Sequence, residues 1–306
     1  MTGRHICFLT CVVVLAAAAG VAPARAEEDC GEVERNYELI KADAVSVQTN
    51  MALFAAADHG CEALARKLLD AGASLLARDR RGAMPLAHAA RQGQAKLVGL
   101  FLAGGAPVDA RNVDGGTALL AAAEGQKAST VAVLLDKGAD PNLTGRSGLT
   151  PLIAAAFKGN DPIVEMLLAH GAQADARDTT GKAAIVYAAA RGFDGIVKRL
   201  LDAGVDARAR YGNDLTGLMW AAGHEEGVSA AAAERVSDLF IARGAGLDDA
   251  DNRGRTALMM AAETGDTGVT DLLLQRGADR ALKDKDGKTA LDLAANTAVR
   301  DRLTQR

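Results

Sequence analysis

The side chains that could do chemistry in this 306-residue sequence are few and scattered. Of the five histidines, His59, His88, His170 and His224 lie beyond the first 26 residues, and their separations match no zinc-ligand spacing. His170 directly precedes Gly171, where a side chain is expected to hydrogen-bond a helix end. Asp284-Lys285-Asp286-Gly287 has a calcium-loop flavour, but the bidentate Glu required at the twelfth position is Ala295. A polar turn explains it better. No glycine-rich phosphate loop, nucleophile elbow or Cys/His pair occurs, and Ser229 has no base in register. The chain is therefore expected not to be an enzyme, with no catalytic residue, cofactor or metal.

The cysteines have to be read with the N-terminus. Arg4 and His5 precede an apolar run from Ile6 to Val21. Ala24-Arg25-Ala26 then forms a small-x-small cleavage site, followed by Glu27-Glu28-Asp29. This is the layout of a secretory signal peptide over residues 1–26, and it implies a periplasmic or fully exported protein. The alternative, a membrane anchor, is disfavoured because the run is short for a span. Cys30 lies four residues past Ala26 without the lead-in of a lipoprotein site. Cleavage removes Cys7 and Cys11 and leaves Cys30 and Cys61. In an oxidising compartment these two suggest one disulfide, tying the N-terminus to the first repeat; two buried free thiols are the alternative. The entropic value of closing such a loop is roughly 3–4 kcal/mol.

Charge and composition narrow the function further. The formal net charge is −4. Two bases, Arg4 and Arg25, and no acid fall in the leader, so a processed chain carries −6. Acids and bases are interleaved, with no Lys/Arg cluster of the kind that binds nucleic acid. Half the residues are apolar, yet only 3% are aromatic. Such a chain suits a long thin core of Ala, Leu and Val better than one bulky core.

The elements that position these residues repeat. Gly72, Gly105, Gly138, Gly171, Gly204, Gly244 and Gly277 are separated by 33 residues at every step except one of 40. A second set, Gly60, Gly93, Gly125, Gly159, Gly192 and Gly265, precedes most of them by 12 or 13. A fixed period of this length means stacked repeats. In one unit, Thr150 can cap a first helix that Pro151 opens and Gly159 ends. Asp161-Pro162 starts a second helix, with Ile163, Val164, Met166, Leu167 and Leu168 at helical spacing. Asp175 to Gly181 supplies a polar turn. Helices this short are not stable alone and must bury their faces against neighbours.

Asp251-Asn-Arg-Gly254-Arg-Thr256-Ala-Leu258-Met-Met-Ala261-Ala262, then Leu273-Leu274-Gln-Arg-Gly277-Ala278-Asp279, and again Asp284-Lys-Asp-Gly287-Lys-Thr289-Ala-Leu291, resemble the ankyrin repeat. The resemblance spans about residues 44–306. It implies an all-α solenoid of helix-turn-helix units with short β-hairpin fingers along one edge. Seven repeats and a C-terminal half are expected over residues 46–306, bounded at about 78, 111, 144, 177, 208, 249 and 282. Residues 27–45 form a capping segment, whose helix would pack through Val33, Tyr37, Leu39 and Ile40.

The resemblance also implies a protein partner, bound through finger tips and the concave face of the first helices by a monomeric chain not inserted in a membrane. The partner's identity is not readable. Carried over by register, the candidate contact residues are Arg80, Arg81, Asp114, Arg146, Tyr211, Asn213 and Arg253 on fingers, and Arg91, Phe157, Lys158, Arg191 and His224 on first helices. Phe157 is a large apolar group at a normally exposed position, a candidate anchor; burial against the next repeat is the other reading. The sixth repeat (208–248) holds about seven extra residues within 224–234. Ser229 is a good N-cap there, and the second helix is expected to be longer by up to two turns. That insertion, with the only Trp at 220, is either a specialised contact patch or a tolerated loop. A periplasmic binding module is the leading expectation. The alternatives are an effector that binds a host or competitor protein, and a protective factor for a periplasmic enzyme.

Overall fold

A computed structural model describes residues 22–41 and 46–305, with side chains from Cys30 onward. The expected secretory segment falls mainly on residues 1–21, outside the described residues. Among the described residues, no helix is long and apolar enough to cross a membrane.

Two rows of helices alternate along the chain. The inner row is α2 (Ser46–His59), α4 (Pro85–Gln92), α6 (Ala118–Glu124), α8 (Pro151–Lys158), α10 (Ala184–Ala190), α12 (Gly217–Ala222), α14 (Ala257–Thr264) and α16 (Ala290–Leu293). The outer row is α3 (Glu62–Asp70), α5 (Ala95–Ala103), α7 (Ala128–Asp136), α9 (Asp161–Ala169), α11 (Asp194–Asp202), α13 (Ala230–Ala242), α15 (Thr267–Gln275) and α17 (Thr297–Thr304). Each helix meets its pair partner and its neighbours in the same row. The last unit, expected as a half, has both helices, with α16 cut to four residues.

Local chemistry explains the inner helices. Thr117, Thr150, Thr216, Thr256 and Thr289 each accept a hydrogen bond from the backbone N–H three residues on, satisfying a donor that the helix start leaves free. Gly159 ends α8 at φ 72°, and a Cβ there would sit 2.6 Å from the Phe193 ring. Both conformation and space therefore require glycine. Paired alanines such as Ala89-Ala90, Ala155-Ala156, Ala188-Ala189 and Ala221-Ala222 are fully buried between successive inner helices. Their small size lets the helices approach closely, which is why the core is alanine-rich and nearly free of aromatics. Phe101 and Phe240 are the largest side chains fully buried in it.

At the N-terminus α1 (Ala22–Ile40) packs on α2. Val33 and Tyr37 meet the core, one helical turn apart. Leu39, expected on the same face, is instead 83% exposed, because it lies two residues beyond Tyr37 and off the i, i+4 stripe. Cys30 is bonded to Cys61, the residue before α3, so the disulfide alternative holds and that of free thiols does not.

Candidate protein-binding surface

The fingers are mostly hydrogen-bonded turns. Among the described residues only β1 (Arg210–Tyr211) and β2 (Leu215–Thr216) pair as strands, with one further bridge between Arg177 and Ala183. In five fingers a single side chain closes the turn. Asp79 Oδ1 accepts from the N–H of Arg81 and of Ala83, both at 2.8 Å, and Asn112, Asp178, Asp251 and Asp284 repeat the pattern. The calcium-like run at 284–287 is thus one of these turns. Neighbouring fingers are stitched by the N–H of Val113, Thr179, Asn252 and Lys285, which donate to the carbonyls of Arg81, Ser147, Asn213 and Arg253.

Three arginines reinforce the stitching. Arg78, Arg111 and Arg210 each donate to a carbonyl of their own finger and to one on the next. These guanidiniums hold structure. Arg80, Arg146 and Arg253 sit beside them at the finger tips, exposed and in no ion pair among the described residues. Arg81 is exposed but paired with Asp114 at 2.9 Å. Asn213 is exposed at φ 64°, at the tip of the β1–β2 hairpin.

Two expected contact residues face inward. Tyr211 occupies the place of the turn-closing Asp. The strand alternates outward Arg210 with inward Tyr211, leaving the ring 5% exposed under the Arg177 guanidinium, 4.9 Å from its centre. Burial pushes its hydroxyl up to about 12. His224 is also enclosed: Nε2 lies 3.2 Å from Asp266 Oδ2 and Nδ1 3.1 Å from the Glu225 carbonyl. It joins the sixth repeat to the seventh and is not a free surface group.

On the inner-helix face the expected anchor is open. Phe157 is 39% exposed and meets Tyr187 edge-on at 5.7 Å. The Arg191 guanidinium stacks 4.3 Å from the Phe157 ring centre, donates to the Phe157 carbonyl at 2.6 Å, and pairs with Glu225 at 3.2 Å. Lys158 rests 5.8 Å from the same ring. Arg91, at the end of α4, is exposed and apart from this group. Three members of the cluster escaped sequence reasoning. Tyr187 donates to Asp178 Oδ2, and burial together with that bond raises its hydroxyl to about 12. Lys182 Nζ lies 5.7 Å from the Tyr187 ring and 4.9 Å from that of Trp220. Leu149 completes a hollow of about 400 Å³ over Ile153 and Ala154. The available signal was positional: Tyr187 and Trp220 stand where α6 and α8 carry Ala121 and Ala154.

Another inner-face residue, His88, bridges repeats. Its Nδ1 is 3.0 Å from Asp58 and its Nε2 3.1 Å from Asp79. The bond to Asp58, the nearby charge and the bond to Asp79 outweigh burial and raise the imidazole above its usual range. His170 Nδ1 lies 2.8 Å from the Met166 carbonyl, the expected helix-end role.

The sixth repeat lengthens its second helix within the expected limit of two turns. α13 has 13 residues where its neighbours α11 and α15 have nine, so one extra turn is helix, capped by Ser229. The rest is a loop that folds back onto the fifth repeat. Glu225 N–H donates to the Ala190 carbonyl at 2.8 Å, and Val228 occupies the space over Gly192.

The ankyrin-repeat model, three copies long, matches residues 53–145, 86–178, 121–211, 152–234 and 218–301, so overlapping matches run from 53 to 301. The chain belongs to the ankyrin-repeat family. Ankyrin repeats are generally protein–protein interaction modules, and the family is typically non-enzymatic. No curated protein matches the chain. In this ankyrin protein the free finger-tip arginines and the Phe157–Trp220 cluster lie on the elements that vary between repeats, while the caps, alanines and turn-closing carboxylates recur.

Proposed function

We propose that this ankyrin protein is a non-enzymatic, monomeric binding module of the periplasm, gripping one partner protein with its finger tips and concave inner-helix face. The observation that carries the reading is the exposed Phe157 ring, flanked by Tyr187, Arg191 and Lys158 on the inner-helix face. Aromatic and arginine groups dominate binding energy at interfaces. The leader-like residues 1–26 and the Cys30–Cys61 bond support an oxidising compartment. Two measurements test this. Fractionation should place the processed chain in the periplasm; recovery from cytosol with residues 1–26 intact would overturn the location. Affinity capture from periplasmic extract should return one protein that is lost on a combined Arg146→Glu, Phe157→Ala change; a capture indifferent to both would overturn the surface.

A further inference from the structure

Two hollows lie in matching positions on the inner-helix face, two repeats apart. The first, of about 400 Å³, has Ile153 and Ala154 as its floor and Leu149, Phe157 and Tyr187 around it, with Glu124 and Lys158 also lining it. The second, of about 340 Å³, is lined by Leu215, Met219, Trp220 and Met260, with the Arg255–Glu263 pair also bordering it. Leu149 and Leu215 enter from equivalent finger positions; Ile153 and Met219 occupy equivalent helix positions. Between the hollows stands Lys182, its ammonium over the Tyr187 and Trp220 rings. Neither Lys182 nor Lys158, at the edge of the first hollow, is in an ion pair among the described residues. The nearby cations that are paired, Arg191 with Glu225 and Arg255 with Asp251 and Glu263, have their carboxylates supplied by the chain itself.

Resting on the protein-binding reading above, we propose that these hollows hold one extended segment of a partner protein, with two apolar side chains about six residues apart and a carboxylate between them on Lys182. The spacing follows from geometry. Packed helices sit roughly 8–10 Å apart, so two repeats span about 20 Å, and an extended chain rises about 3.3 Å per residue. The charge follows from the unpaired ammonium: an acidic residue placed there is attracted, and a basic one is repelled. An apolar side chain in each hollow removes the Phe157, Tyr187 and Trp220 surfaces from water, the favourable term in such contacts.

The test uses a phage-displayed library of random peptides selected on the immobilised full chain. Enriched peptides should share two large apolar residues at that spacing with Asp or Glu between them. Their affinity should fall about tenfold or more on Ala154→Trp, which fills the first hollow, and on Lys182→Glu. Changing the peptide's acid to Lys should restore binding to the Lys182→Glu chain, a rescue that general damage to the fold does not produce. Phe157→Ala removes one wall from a half-exposed position and gives a third reading. Absence of enrichment, or peptides indifferent to these variants, overturns the proposal. A periplasmic partner that binds wild type and the Ala154→Trp and Lys182→Glu chains equally overturns it while leaving the protein-binding reading standing. Failure of wild type to capture any partner counts against that reading itself.

Discussion

The outer helices of the first to fourth repeats and those of the fourth to eighth are held to their neighbours by different means. From α9 onward each helix is tied to the next by ion pairs: Arg199 to Asp161 at 2.9 Å, Arg235 to Asp194 at 3.2 Å, Arg276 to Asp238, and Arg302 to Asp271 at 3.4 Å, with Arg243 paired to Asp202 as well. Among the described residues no such pair links α3, α5, α7 and α9. α5 and α7 are almost uncharged, and their neighbours are held by Phe101, Leu134 and Leu167, which are fully buried. The N-terminal part has other devices, the Cys30–Cys61 bond, the Lys67–Glu34 pair on the cap and the His88 bridge. Exposed ion pairs contribute about 0–1 kcal/mol each. The two halves thus share one source of stability, the buried inner face of each repeat, and differ in what is added at the surface. In a solenoid each repeat contacts only its neighbours, so these differences should be separable by experiment.

The largest effect should come from the shared core. Phe101→Ala in α5 and Phe240→Ala in α13 should each cost about 3–5 kcal/mol. Trp220, the only Trp, reports the sixth repeat. Denaturant melts followed by its fluorescence should shift strongly for Phe240→Ala and much less for Phe101→Ala, whereas circular dichroism should register both. Equal shifts of the Trp220 transition would show that the array melts as one unit and remove the contrast between halves.

The disulfide comes next. Cys61→Ser should cost roughly 3 kcal/mol at the N-terminal cap, seen as faster hydrogen exchange in α1–α3 with α13–α17 unchanged. Spread of the loss to the far end would again argue for full cooperativity.

Acid should weaken both halves, through Asp161 and Asp202 in one and through Asp79 beside His88 in the other, whereas mild alkali should weaken the N-terminal half alone. Hydrogen bonds from Arg199, and from Lys198 and Arg243, hold Asp161 and Asp202 below the usual carboxylate range, Asp202 to about 2. Their contribution is complete above the unfolded carboxylate pKa and is lost as pH falls through the lowered values. His88 is raised, so its contribution is complete below about pH 6.5 and is lost as pH rises through the raised value. Hydrogen exchange should therefore quicken in α9–α13 and around the Asp79 turn on acidification, and around α2 and α4 alone on moving to mild alkali. His88→Gln should abolish the alkaline change alone.

The smallest expected effect is at the ladder. Arg235→Ala removes an exposed, solvent-screened pair and should leave the denaturant midpoint almost unchanged. A larger loss would mean that the ladder, rather than the core, sets the stability of the C-terminal repeats.

The parts legible in the sequence were those set by local chemistry. Threonine caps, left-handed glycines such as Gly159 and turn-closing carboxylates such as Asp251 act within a few residues, so their spacing announced the period, the helix pairs and the exposed tips at Arg80, Arg146 and Arg253. The cysteine pair was legible because only Cys30 and Cys61 lie beyond the leader-like residues 1–26. What sequence reasoning missed depends on contacts between repeats. Tyr211 turns under Arg177, His224 reaches Asp266 across the stack, and the extra residues of the sixth repeat fold back onto Ala190 and Gly192. The same holds for the binding face: Phe157 was conspicuous in its own helix, while Tyr187, Lys182 and Trp220 became neighbours only when consecutive repeats were stacked. Period and capping are short-range properties that a chain carries in its order of residues. Which side chains are buried, paired or left free along a solenoid is settled one repeat away, by packing that the order alone does not display.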